Sequence, residues 1–103
     1  MNVVRKVEVT ELEISLVESV TEAEQVMKMV LGGEVTDQAD RDAANGLVEA
    51  FFVTYLRNVD KTNLLDSLNS LNKSFGEYNP FKRAVARVKA FRPKNPCWKH
   101  FAA

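Results

Sequence analysis

The chain has 103 residues, enough for one domain with a substantial hydrophobic core. Its 46% hydrophobic and 27% charged residues, with four glycines and three prolines, are typical of a globular protein and exclude collagen-like and disordered classes. Its 14 basic and 14 acidic residues give a formal net charge of zero. These charges are unevenly distributed, because residues 1–79 carry seven basic and all 14 acidic residues, whereas residues 80–103 carry seven basic residues and no acidic ones. The resulting charges of −7 and +7 predict a charged surface that meets a partner, either outside the chain or within it.

The first helix is predicted over residues 11–31. Thr10-Glu11-Leu12-Glu13 has the capping-box pattern of a helix N-terminus, and Gly32-Gly33 can end the helix. Apolar residues between these signals recur with helical spacing at Leu12, Leu16, Val20, Ala23, Met27 and Val30. The valine-rich residues 3–9 favour a short N-terminal strand, although no adjacent segment is an obvious pairing partner. A backward extension of the helix is the alternative.

The second helix is predicted from Thr36, as N-cap, to about Asn58. Carboxylates in its first turns would complement the helix dipole at Asp37, Asp40 and Asp42. Two adjacent apolar stripes, Leu47-Phe51-Tyr55 and Val48-Phe52-Leu56-Val59, predict that this helix is the most buried element. Asn45-Gly46 is a turn signal, so a break followed by a strand is the alternative.

Two further helices are predicted in the second half of the chain. Asp60 can cap a third helix that Gly76 ends, with a narrow apolar seam at Leu64, Leu68, Leu71, Phe75 and Tyr78. Asn79 as N-cap and Pro80 at the first helical position predict a fourth helix over 80–92, which Pro93 stops. Its apolar face comprises Phe81, Ala84, Val85, Val88 and Phe91.

These elements predict an all-α fold, with a small four-helix domain over 1–92 and an extended, basic, proline-punctuated tail over 93–103. The longest apolar run, residues 50–53, is far too short for a membrane span. The N-terminus lacks the apolar core of a signal peptide. The single cysteine, Cys97, agrees with a reducing compartment. We therefore expect a cytoplasmic protein that does not bind membranes.

The sequence offers little support for catalysis. The only histidine, His100, lies three residues after Cys97, but both belong to the tail, where rigid positioning of a nucleophile and its base is not expected. The same pair supplies two of the four ligands of a structural zinc site. The sequence also lacks the spacings of a calcium loop and of a glycine-rich phosphate loop. We therefore expect no enzyme activity, no cofactor and no metal.

The basic segment is the main candidate for binding a partner. Its candidate interaction residues are Lys82, Arg83, Arg87, Lys89, Arg92, Lys94, Trp98, Lys99 and Phe101. Cations interleaved with aromatic residues are typical of a nucleic-acid contact, and the third and fourth helices could form a helix-turn-helix. The alternatives are pairing with the acids of the chain or its oligomer, and binding of an acidic protein partner.

The acidic half suggests a second surface, because Glu11, Glu18 and Glu22 would lie along one side of the first helix and face a basic protein groove. A solvated face is the commoner reading. By analogy with small helical proteins, including those carried by phages and other mobile elements, we expect a non-enzymatic protein-binding module, a regulator or inhibitor. The seam of the third helix and the wide face of the second also predict homo-oligomers. A small DNA- or RNA-binding protein is the alternative.

Overall fold

The structure, a computed structural model, describes residues 7–9, 12–14 and 16–101. It contains four helices, α1 (Val20–Leu31), α2 (Gln38–Asn58), α3 (Leu64–Phe75) and α4 (Asn79–Phe91), followed by a 3-10 helix over Pro96–Lys99. The predicted all-α fold with four helices is confirmed. The chain divides into two compact units, residues 1–51 and residues 52–103. The single domain over 1–92 stays a prediction.

The segment before α1 contains a short strand within the predicted range 3–9, but it does not contain the predicted start of the first helix. A short strand, β1 (Val7–Val9), pairs antiparallel with β2 (Leu12–Ile14), with Val7 opposite Ile14. The first helix therefore does not begin at residue 11, and the proposed cap Thr10 lies outside the described residues.

The N-terminus of α1 is fixed by a capping signal that the sequence reading missed. The Ser19 hydroxyl accepts a hydrogen bond from the Glu22 N–H at 3.1 Å, and the Glu22 carboxylate accepts one from the Glu18 N–H at 2.8 Å. Ser19 and Glu22 have the serine-to-glutamate spacing of a capping box. The helix therefore starts at Val20. It ends before Gly33, whose φ of +82° suits glycine.

α2 is continuous through Asn45 and Gly46, so the alternative of a break and a strand is wrong. The N-cap residue of α2 is Asp37, one residue later than the predicted Thr36. The Asp37 carboxylate accepts a hydrogen bond from the Ala39 N–H at 2.8 Å. The Thr36 carbonyl instead accepts a hydrogen bond from the Arg41 side chain. In one predicted stripe, Val48, Phe52 and Leu56 are fully buried at 0% exposure, whereas Val59 follows the last residue of α2 and is half-buried. The other stripe, comprising Leu47, Phe51 and Tyr55, is only partly covered.

The core of residues 52–103 forms around three aromatic rings. The Phe52 ring packs edge-on against those of Phe75 and Phe81, with centroid distances of 4.7 Å and 5.2 Å. The predicted seam of α3 is buried throughout, at Leu64, Leu68, Leu71, Phe75 and Tyr78. α3 begins at Leu64, and its N-cap residue is Asn63 rather than the predicted Asp60. Asp60 belongs to a turn that precedes the helix, in which its carbonyl accepts a hydrogen bond from the Asn63 N–H.

The apolar face of α4 is confirmed at four of its five predicted positions, Phe81, Ala84, Val85 and Val88. The fifth, Phe91, is 56% exposed because it lies in the last turn, beyond the buried stripe. The N-cap residue of α4 is Tyr78 rather than Asn79, so the helix begins one residue before Pro80.

The tail folds instead of extending. Pro96–Lys99 forms the 3-10 helix, which contacts α3. The Asn95 side-chain oxygen, Oδ1, caps this helix by accepting a hydrogen bond from the Cys97 N–H at 2.9 Å. Cys97 is buried, with 5% exposure. The Asn95 side-chain amide also donates to the Lys61 carbonyl, 34 residues earlier, and so joins the tail to the rest of the unit. Within the described part of the chain, no helix combines the length and the apolarity needed to cross a bilayer.

Candidate interaction surface

The two compact units carry opposite charges. Residues 1–51, the acidic unit, contain four basic and 11 acidic residues, a net charge of −7. Residues 52–103, the basic unit, contain ten basic and three acidic residues, a net charge of +7. The charge asymmetry of the sequence thus follows the division of the fold. An acidic or phosphorylated partner would be attracted to the basic unit.

The cations of α4 lie outside its buried stripe. Four candidate interaction residues are exposed on this helix, Lys82, Arg83, Arg87 and Lys89. The Lys82 Nζ lies 3.8 Å from a carboxylate oxygen of Glu77, and both side chains are solvent-exposed. Because exposed ion pairs contribute only about 0–1 kcal/mol, this contact leaves Lys82 able to exchange Glu77 for the carboxylate of a partner.

Arg92 uses its guanidinium inside the basic unit. Its Nη1 donates to the carbonyl oxygens of Leu56, at 2.9 Å, and Val59, at 2.7 Å. These carbonyls lie at the C-terminal end of α2, where the last turn of a helix lacks internal donors and the helix dipole favours a cation. Arg92 therefore caps α2, a structural role that the sequence reading did not foresee.

The aromatic residues of the tail are held by the unit. The half-buried Trp98 donates from its Nε1 to the Arg92 carbonyl at 2.7 Å. The Lys89 Nζ lies 6.0 Å from the centroid of the Trp98 ring, at the limit of a cation–π contact. Phe101 is also half-buried, and its N–H donates to the Cys97 carbonyl at 2.9 Å. Both side chains are therefore partly packed against the basic unit.

The aromatic residues of α4 are similarly occupied. Phe81 is 1% exposed and belongs to the core. Phe91 is exposed, but the Arg57 guanidinium carbon lies 4.0 Å from its ring centroid and covers one face. The aromatic pattern that suggested base stacking is therefore mainly a packing pattern.

An open groove of about 1030 Å³, the tail groove, lies between residues 61–65 and residues 91–100. Its apolar lining consists of Leu65, Phe91, Pro93, Pro96 and Cys97. Its basic lining consists of Lys61, Arg92, Lys94 and His100. Among the described residues that line it, none carries a carboxylate. Sequence reasoning named Arg92 and Lys94 but missed Lys61 and Leu65, which precede the tail by some thirty residues.

The chemistry of Cys97 weighs against a nucleophilic role. Burial raises the pKa of its thiol, and the positive charge of Arg92 acts in the opposite direction. A buried, protonated thiol is a poor nucleophile. The neighbouring His100 is exposed. It contacts Cys97 through the backbone, where the His100 N–H donates to the Cys97 carbonyl. In the described segments, no cluster of three or more His, Cys, Asp or Glu side chains is placed to hold a metal ion.

The predicted acidic face cannot lie along α1 as a whole, because Glu18 precedes the first residue of this helix. Glu22 lies in α1, and its carboxylate accepts a hydrogen bond from the Glu18 N–H. Glu11 lies outside the described residues. A binding role for these acidic residues stays a prediction.

No family model matches the chain, and no curated protein or solved structure matches it. Its function therefore has to be argued from its own charges and side chains.

Proposed function

We propose that the protein is a non-enzymatic protein-binding module, a small regulator or inhibitor whose basic unit binds an acidic segment of a partner protein. The observation that carries this proposal is the tail groove, within a unit of net charge +7. We call its apolar lining residues, Leu65, Phe91, Pro93, Pro96 and Cys97, the floor, and its lysine and arginine lining residues, Lys61, Arg92 and Lys94, the rim. Protein interfaces commonly combine an apolar centre with a polar rim. Opposite charge on the partner would accelerate association and select against basic proteins.

A protein partner is favoured over nucleic acid because few aromatic faces are open. Phe81 is buried, and the indole N–H of Trp98 is engaged by the Arg92 carbonyl. Binding to single strands relies on aromatic faces that stack with bases.

A small DNA- or RNA-binding protein is the second candidate, and the composition of α4 favours it. This helix contains no acidic residue and exposes Lys82, Arg83, Arg87 and Lys89. Such a row of cations suits phosphate contacts that position a protein without reading sequence.

Self-association is a special case of the same proposal. The α3 seam that suggested homo-oligomers is buried by the chain itself, so it no longer supports them. The charges of −7 and +7 on the two units remain as a source of attraction between copies. Light scattering at micromolar concentration should then report a mass above that of one chain, and this mass should fall as salt screens the charges.

The two candidates are separated by binding measurements on the whole chain. We expect the protein to bind a fluorescent glutamate-rich polypeptide more tightly than a random DNA duplex at the same salt concentration. Substitution of glutamine at the four exposed cations of α4 should leave the far-ultraviolet circular dichroism unchanged. Tighter binding of the duplex, with a steep dependence on salt that the substitutions abolish, would establish the second candidate. Binding of neither ligand would refute both.

A further inference from the structure

We infer that the tail groove binds an acidic peptide that places one apolar side chain on the groove floor and its carboxylates against the basic rim. This inference rests on the proposed function and specifies its site and the chemistry of its ligand. The partner segment would be recognised through both its charge and an aliphatic or aromatic side chain.

The rim offers cations that pair with no carboxylate among the described residues. Lys61 and Lys94 are exposed and belong to the two separate segments that line the groove. In the described part of the chain, the ammonium groups of these two lysines form no ion pair with a carboxylate. The third basic lining residue, Arg92, is bound to the end of α2 but keeps its positive charge beside the groove. A peptide carboxylate would therefore meet two ammonium groups that no described carboxylate occupies.

The floor suits an apolar side chain rather than a polar one. Phe91 is 56% exposed and Leu65 is half-buried, so both present apolar surface to the groove. Pro93 and Pro96 have no backbone N–H and therefore add no donor for a polar ligand. Burying one leucine-sized side chain strengthens binding by about ten- to a hundredfold. The floor thus adds selectivity that the rim charges alone would not provide.

Hydrogen bonds within the basic unit hold the walls of the groove in place. The Asn95 side-chain amide donates to the Lys61 carbonyl at 3.2 Å, joining the tail to the loop before α3. Arg92 joins the end of α4 to the end of α2, and Trp98 of the tail binds the Arg92 carbonyl. A peptide that enters the groove would not have to order the tail, so less conformational entropy opposes binding.

The test uses the whole chain labelled with ¹⁵N and a short glutamate-rich peptide that contains one leucine. Two control peptides replace the leucine with serine or the glutamates with glutamines. We expect amide shifts in residues 61–65 and 91–100, and weaker binding of both control peptides. Lys94→Glu, at an exposed position of the rim, should weaken binding about fivefold. Lys73 is also exposed but lies on α3 outside the groove, so Lys73→Glu should change binding little.

The possible outcomes separate this inference from the proposed function. Shifts confined to the exposed cations of α4 would overturn the groove as the site and leave an acidic protein partner in place. Equal binding of the leucine and serine peptides would overturn the apolar floor, even if Lys94→Glu failed to fold. Groove shifts that appear on concentrating the free protein would identify a second copy as the occupant. Tighter groove binding of a DNA duplex would identify nucleic acid, and the absence of any shift would overturn both proposals.

Discussion

Replacing Arg92 should destabilise the basic unit without changing its core. Arg92→Ala removes both hydrogen bonds of Nη1, to the carbonyls of Leu56 and Val59, together with the positive charge at the end of α2. The aromatic packing of Phe52, Phe75 and Phe81 involves none of these atoms. Any loss of stability can therefore be attributed to the cap.

The two distances of 2.9 Å and 2.7 Å set the size of the effect. A hydrogen bond from a charged donor contributes about 1.5–3 kcal/mol, and a cation at a helix C-terminus contributes about 0.3–1 kcal/mol when exposed. Because the site is part-buried, water can replace some of the lost bonding. We expect the free energy of unfolding to fall by about 2–3 kcal/mol.

Urea unfolding followed by tryptophan fluorescence measures this change directly. Trp98 is the only tryptophan and bonds to Arg92 itself, so its emission reports on the basic unit. Lys94→Ala is the matched control, because it removes an exposed cation two residues along the chain that caps nothing. Equal midpoints for the two variants would refute the capping role. Arg92→Lys should fall between them, since lysine keeps the charge but not the guanidinium geometry.

Three further predictions test the packing and titration of the basic unit. Phe52→Ala should lower the free energy of unfolding by about 3–5 kcal/mol, because the ring is fully buried against two others, whereas Phe91→Ala should cost only about 1 kcal/mol. Burial raises the pKa of Tyr78 to about 12, although the positive charge of Arg83 acts in the opposite direction. The unfolded chain therefore loses the Tyr78 hydroxyl proton at a lower pH than the folded protein does. Stability from this group should be constant below its ordinary pKa of 10.0 and fall as the pH rises towards 12, as urea unfolding at alkaline pH would show. The thiol of Cys97 should react with a chromogenic disulfide reagent only after the unit unfolds, because it is buried and its pKa is raised.

Each of these expectations has its own control. Similar losses in the two phenylalanine variants would contradict the aromatic core. Tyr78→Phe should flatten the alkaline decline relative to the wild type, and identical slopes would show that another group causes it. Rapid reaction of Cys97 in the native protein would show that the tail opens readily.

Local sequence signals were sufficient for most of the helices. The seam of α3 and the Pro80 signal of α4 agree with the tertiary packing, so the local and global preferences coincide there. The start of α1 was ambiguous because capping patterns begin at both Thr10 and Ser19, with apolar spacing continuous across them. A local pattern cannot choose between them when the intervening segment pairs as a strand.

The candidate site was predictable only in part. Its charge was evident from composition, and Lys94 was correctly placed on an exposed surface. The capping role of Arg92 could not be predicted from the sequence, because a surface cation and a helix-capping cation have the same sequence pattern. The tail groove depends on contacts between residues 61–65 and residues 91–100, and no periodicity in either segment indicates that they meet.

The long sequence separation of the Arg92 contacts also orders the events of folding. Arg92 bonds to carbonyls 36 and 33 residues earlier in the chain, and Asn95 bonds to one 34 residues earlier. Isolated helices form within about a microsecond, whereas contacts across long loops form later because loop closure costs entropy. The end of α2 therefore stays uncapped until the C-terminal end of α4 docks against it, and the groove forms only when Asn95 of the tail has also reached Lys61. In a refolding experiment, the capacity to bind an acidic peptide should appear after the helical signal is already complete.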